Sequence, residues 1–153
     1  LIEAYVYGNV QAMQDLGLLD LDPADLIDRA TMFDTINEKI ADKTWRDRIA
    51  EYLAKEDSTV EDFMRVAETD ATRIYNEGVL NGGEKSGKDG VMKQWRTMED
   101  EKVRDAHIWL DGVTVPLGEK FYVDGDGAMA PGGFSDPALN VNCRCELTLI
   151  YRE

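Results

Sequence analysis

A chain of 153 residues with one histidine, two cysteines and four prolines leaves few routes to several familiar chemistries. With His107 as the sole imidazole, a paired-histidine metal motif is impossible, and neither a Gly-x-Ser-x-Gly elbow nor a Walker-type lysine loop occurs. Enzymatic chemistry is poorly supported, and no catalytic residue is expected. Cys143 and Cys145 form no disulfide framework, because a bond between strand residues i and i+2 would be strained. Free or metal-bound thiols in a reducing cytoplasm are expected instead. No apolar run approaches the roughly 18 residues of a membrane span, and Leu1-Ile2-Glu3-Ala4-Tyr5 lacks the basic start of a signal peptide, so neither membrane nor secretion is expected. The start at Leu1 leads us to expect a longer parent protein. Bases are also scarce: 17 Lys and Arg face 31 Asp and Glu, a net charge of −14 that repels a phosphate backbone. The one locally basic stretch, Lys85 to Arg104, reads first as a solvated face, so contact with DNA is expected to be weak or indirect.

What is present is helix-forming sequence followed by a glycine-rich third. Hydrophobic residues make up 43% of the chain, enough for one real core. Ile2, Tyr5, Val6, Val10 and Met13 predict a helix over 1–16 stopped by Gly17. Asp22-Pro23 opens a second apolar stripe running to about Ala54, a long helix with a candidate break near Lys43-Thr44. Ser58-x-x-Glu61 reads as a capping box for a third helix reaching about Leu80. Gly82-Gly83, Gly87 and Gly90 among charged residues predict a flexible connector. This gives a helical region over 1–81, a connector over 82–92 and an α+β module over 93–153. In that module a helix from Met98 to Leu110 is expected to pack on a small, mainly antiparallel sheet. Strands are predicted at 112–116 and 119–123 around Leu117-Gly118, and the last, led by Cys143 and Cys145, runs to Tyr151. The 124–141 loop is rich in Gly, Pro, Asp and Asn and too polar to bury itself, so it should need an anchor. Its Asp124-Gly125-Asp126-Gly127 start lacks the later ligands of a calcium loop and reads as a turn.

His107 shares a helix face with Val103 and Leu110, and two readings stay open. It is either a core histidine bonded to a backbone carbonyl, or one member of a Zn²⁺ ligand set with Cys143 and Cys145, with Asp111 or a water as the fourth ligand. Joint ligation by Cys143 and Cys145 requires a bend at Arg144, because an extended strand holds residues i and i+2 about 6–7 Å apart. Asp100 and Arg104 form an i, i+4 pair, either at the helix surface or buried to fix the helix over the long loop.

The order Trp95, Thr97, Asp100, Val103, Arg104, His107, Leu110, Asp111, Gly112, Phe121, Pro131 and Asn142-Cys143-Arg144-Cys145 resembles the C-terminal domain of the phage Mu F-like minor head proteins, the head-morphogenesis family of tailed phages and prophages. The resemblance covers about residues 60–150. It implies a structural protein of the virion, made in the bacterial host cytoplasm, present in few copies and associated with the portal and other head proteins. Its implied role is in capsid morphogenesis and DNA packaging or delivery. Trp95, Asp100 and Arg104 are then structural residues. Relatives fused to toxin enzymes such as ADP-ribosyltransferases supply the alternative, a prophage-derived nuclease or transferase module using His107 with Asp100 and Arg104. Exposure of those groups in a cleft would favour the enzyme, and burial would favour the structural module.

Overall fold

The computed structural model describes residues 1–18, 20, 22–39, 42–98, 105–140 and 143–151, and the architecture is α+β. Helix α1 (Ile2–Asp15) stops as its sequence predicts: Gly17 takes a φ of 70°, and Leu18 N–H returns to the Met13 carbonyl at 2.8 Å. The expected helix over 23–54 does break near Lys43-Thr44, where α4 (Trp45–Ala54) begins, but the part before the break is itself divided into α2 (Pro23–Leu26) and α3 (Arg29–Ile36). Local caps win over the continuous stripe. Asp28 accepts from Ala30 N–H at 3.1 Å, and Thr44 and Asp47 satisfy each other's backbone amides in a capping box that starts α4.

Helix α5 (Val60–Lys85) also starts from a capping box, but one residue later than expected, between Thr59 and Asp62; the Ser58 hydroxyl instead donates to the Tyr52 carbonyl. The helix continues through Gly82-Gly83, which the sequence placed in a connector. Both are buried and serve close packing: a Cβ at Gly82 would meet the Ala12 Cβ at 2.7 Å, and one at Gly83 would meet Leu149 at 2.9 Å. Helices α1 and α5 touch backbone to backbone, since a methyl at Gly8 would overlap the Tyr75 carbonyl oxygen and one at Gly78 that of Tyr5. Asn9 ties this crossing by donating to Gly78 O at 2.9 Å.

A three-stranded antiparallel sheet lies against these helices, in the order β2 (Thr114–Pro116), β1 (Met92–Arg96), β5 (Glu146–Ile150). Strand β1 went unread because Lys93 occupies an inward position beside Trp95, breaking the apolar alternation. Lys93 lies over the Phe121 ring and donates to Met129 O at 2.7 Å, and its desolvation lowers its pKa to about 8. A second hairpin, β3 (Phe121–Val123) with β4 (Asp126–Ala128), turns through Asp124-Gly125, both at positive φ. The two strands predicted around Leu117-Gly118 therefore exist in shortened form but belong to different sheets. One core cluster runs from Ala12, Leu16, Val79 and Leu80 on the helices to Trp95, Leu147 and Leu149 on the sheet.

The outer edge of β5 is covered by polar side chains of the helices. Asn76 of α5 accepts from Leu147 N–H at 2.8 Å and donates to the Cys145 carbonyl at 3.0 Å, while Asp15 of α1 accepts from Leu149 N–H at 3.0 Å. The Asn76 amide thus takes the place of a neighbouring strand's peptide. This fixes the chain where the cysteines emerge.

Candidate metal centre

Cys143 and Cys145 precede β5 and do not start it, which corrects the sequence expectation and has a physical consequence. Released from strand geometry, both thiols reach the same side. His107, in the short helical turn α6 (Asp105–Ile108), meets them with Nδ1 at 3.6 Å from each Sγ, and the three ligand atoms lie within 4.8 Å of one another. His107 is 1% exposed, Cys143 4% and Cys145 3%, so the cluster is closed to solvent.

Its walls are aromatic. Trp95 meets the imidazole edge to face at 5.5 Å, Phe134 lies 5.9 Å from it, and Phe121 packs on Trp95 at 5.2 Å. Strand β1 thus supplies one wall, β3 another and the long loop a third. Leu110 N–H closes the turn onto His107 O at 3.0 Å, and Gly112, at a φ of 82°, returns to the Trp95 carbonyl at 2.8 Å. Asp111 is not part of the converging group: its Oδ1 accepts from Thr97 N–H at 3.0 Å, so it ties the turn to the end of β1. Asp100, Val103, Arg104 and Asn142, which the sequence singled out, lie outside the described residues.

The loop after β3 has anchors of its own. Asp126 accepts from Ser135 N–H and Asp136 N–H at 3.0 and 2.9 Å, which holds its carboxyl below the usual range. Asn140 accepts from Phe134 N–H and donates to Phe134 O, and Ala128, Ala130, Pro131 and Phe134 are buried. The expectation that this loop is too polar to bury itself therefore does not hold. Phe134 and Asn140 are site residues that the sequence reading missed. Asn76 is another, and its signal was available: an amide on a buried helix face needs partners.

The cluster can do two things chemically. Tetrahedral Zn²⁺ with bonds of about 2.3 Å to sulfur and about 2.05 Å to nitrogen implies N···S edges of about 3.5–3.6 Å. Both measured separations are 3.6 Å, so the residues fit such an ion on Nδ1 and two thiolates. The same distances also suit sulfur hydrogen bonds. The Cys145 thiol, then His107 and the Cys145 amide, hold the Cys143 thiol down to about 5 against burial, which raises it. The two cases differ in tautomer: an ion takes the Nδ1 lone pair and leaves the proton on Nε2, whereas a hydrogen bond to thiolate puts it on Nδ1. Among the described residues Nε2 has no hydrogen-bond partner.

With this geometry in view, comparison with known proteins gives the class. The sequence model of the family described as Phage Mu protein F like protein matches residues 30–148, and the chain belongs to that family. The chain is also 31% identical over 100 residues to NAD(+)-arginine ADP-ribosyltransferase EFV of Enterococcus faecalis. That alignment covers 63% of this chain but only 20% of the relative, so the chain spans about a fifth of its length. No solved structure matches the chain. Among the described residues, no helix is long and apolar enough to cross a membrane.

Proposed function

We propose that this chain is a structural module of a phage head, acting in capsid morphogenesis and in DNA packaging or delivery through contacts with the portal and other head proteins. Family membership across residues 30–148 carries the reading. The net charge of −14 supports protein rather than DNA contacts. The module belongs in the virion and passes through the host cytoplasm during assembly. Coexpression with the portal and major head proteins of its own phage or prophage tests this: the chain should co-purify with assembled heads at low copy number. Heads that form fully and exclude it would defeat the proposal.

Within that role, His107, Cys143 and Cys145 hold a structural Zn²⁺, with water or a residue outside the described set as fourth ligand, and perform no catalysis. Zinc would supply folding energy here, because the two thiolates and the imidazole converge only in the folded chain. Elemental analysis of protein purified without added metal should find about one zinc per chain, and a strong chelator should lower the melting temperature. Were the cluster only packed core, chelators would do nothing and Cys143→Ser would cost about 1–3 kcal/mol. A His107→Ala protein that melts like wild type would defeat both versions.

The similarity to an ADP-ribosyltransferase favours one second reading, a toxin-type transferase using His107 with Asp100 and Arg104. Burial of His107 beneath Trp95 and Phe134 weighs against it, since a substrate would have no path to the imidazole. Incubation with NAD⁺ and an arginine-rich acceptor should give no ADP-ribosylation. Modification abolished by His107→Ala in a still-folded protein would reverse this preference.

A further inference from the structure

A groove of about 710 Å³ is lined by Leu110 and Phe121, by Val113 just before β2 and Val115 within it, and by Tyr122 and Val123 of β3. Trp109 and Tyr122 stand at it 84% and 63% exposed, an unusual placement for two large aromatic side chains in a chain with 8% aromatics. Two strand edges border the same space. β2 is an edge of its sheet, and β3 pairs only with β4 among the described residues. The ladder fixes which peptide groups face outward. Trp95 N–H bonds Val113 O and Leu117 N–H bonds Val91 O, so residues of odd number in β2 face β1 and the Thr114 peptide groups face outward. In the β3–β4 hairpin the pair Val123 and Asp126 closes the two-residue turn, which leaves the Tyr122 peptide groups outward by the same alternation.

We infer that this groove receives an extended, basic segment of another protein, with apolar residues at alternate positions, by strand addition. The outward-facing peptide groups of Thr114 and Tyr122 supply the backbone bonds, and the apolar lining takes alternate side chains. Charge selects the occupant. A second copy of the chain would bring another −14, and nucleic acid is repelled by the same field. The lining carries one charge of each sign, Lys120 and Asp124, so the preference for a basic segment comes from the net charge of −14, with Asp124 the carboxylate that a cation meets in the groove. Lys or Arg on the incoming strand would also find the open faces of Trp109 and Tyr122. The inference deepens the assembly reading by naming how a partner is held, and it rests on that reading for the partner being a protein.

Synthetic peptides test it apart from any head protein. An alternating nonapeptide, Lys-Val-Lys-Val-Lys-Val-Lys-Val-Lys, is titrated into the full chain at physiological salt, beside a peptide of the same composition with its valines in one block. Calorimetry and amide NMR shifts are recorded for wild type, Trp109→Ala and Tyr122→Ala, with melting curves to confirm folding. The expected result is binding of the alternating peptide at least tenfold tighter than the block peptide, shifts centred on Thr114 and Tyr122, and at least a tenfold loss in Trp109→Ala. Equal binding of the two peptides, shifts centred elsewhere, unchanged affinity in both variants, or no binding at all would overturn it. Such a failure leaves the assembly reading standing if the chain still enters heads, whereas exclusion from heads with intact peptide binding fails the assembly reading alone.

Discussion

Removing the Asn76 amide should cost more than removing most apolar side chains of comparable size. In Asn76→Ala the Leu147 N–H and the Cys145 carbonyl lose partners at 2.8 and 3.0 Å in a buried site, and the carboxamide contacts themselves vanish. A buried backbone group left unpaired costs about 1–3 kcal/mol, so two such groups give about 2–6 kcal/mol, from which alanine's better helix propensity subtracts about 0.5 kcal/mol. Because the Cys145 carbonyl belongs to a residue of the His107–Cys143–Cys145 cluster, the loss should also loosen that cluster and weaken the proposed zinc site. Urea unfolding at pH 7 with saturating zinc measures the first effect, and zinc retention against a graded chelator measures the second. Asn76→Asp separates hydrogen bonding from packing: it keeps an acceptor for Leu147 N–H but sets a carboxylate against the Cys145 carbonyl. It should be at least as unstable as alanine at pH 7 and recover partly on acidification, when the carboxyl regains a donor. A loss under about 1 kcal/mol in Asn76→Ala, with zinc held as in wild type, would refute the claim that this amide closes the sheet edge.

Gly78→Ala should destabilise by about 2–3 kcal/mol in thermal melts although alanine is the better helix former, because its methyl would press on the Tyr5 carbonyl; a gain in stability would contradict the close crossing of α1 and α5. Glu77 has its pKa raised to about 7, chiefly by desolvation and then by Glu38. Its contribution is fully present below about pH 4.5 and is lost as pH rises through 7, so Glu77→Gln should gain on wild type across that window by up to about 3 kcal/mol, and a constant difference in melting temperature from pH 4.5 to 7.5 would count against it. Limited proteolysis should cut first at 87–90, where Gly87 and Gly90 take positive φ between charged residues, and not at Gly82-Gly83; first cleavage within α5 would contradict the packing of those glycines.

The helices were legible where one local signal dominated. Gly17 stops α1, and Asp22-Pro23 opens the next element, because caps and chain reversals depend on neighbouring residues alone. The candidate break near Lys43-Thr44 is where Thr44 with Asp47 caps α4, but where local signals competed elsewhere the sequence reading fell short: the Asp28 cap divided the stripe further, and Thr59 with Asp62 displaced the Ser58 alternative. Strand β1 was hidden because its pattern depends on a distant partner, the Met129 carbonyl that accepts from Lys93. Gly82 and Gly83 were read as flexible for the same reason, since nothing near them in sequence announces Ala12, Leu117 or Leu149. The convergence of His107, Cys143 and Cys145 was legible because histidine and cysteine are so rare here that few combinations existed. Its setting was not, because the covering of β5 by Asn76 and Asp15 spans 71 and 134 residues of sequence.

That covering also explains how a Cys-x-Cys pair can serve one site. A regular strand would hold the two thiols about 6–7 Å apart along one face, too far for a shared tetrahedral ion. Here strand pairing begins only at Glu146, opposite Arg96, and the preceding Cys143 N–H bonds back to the Asn140 carbonyl at 3.1 Å in a turn. The same Asn140 side chain fixes Phe134, which covers the imidazole. One asparagine therefore couples the bend that gathers the thiols to the ring that keeps water from them. The loop is organised by its own hydrogen bonds as well as by the cluster, so removal of the proposed zinc should first free the Cys143 turn and His107, while the β3–β4 hairpin, closed by its Asp124-Gly125 turn, keeps its pairing. Amide hydrogen exchange with and without chelator would register that order, and simultaneous loss of protection at Phe121 and Cys145 would show instead that the module unfolds as a single unit.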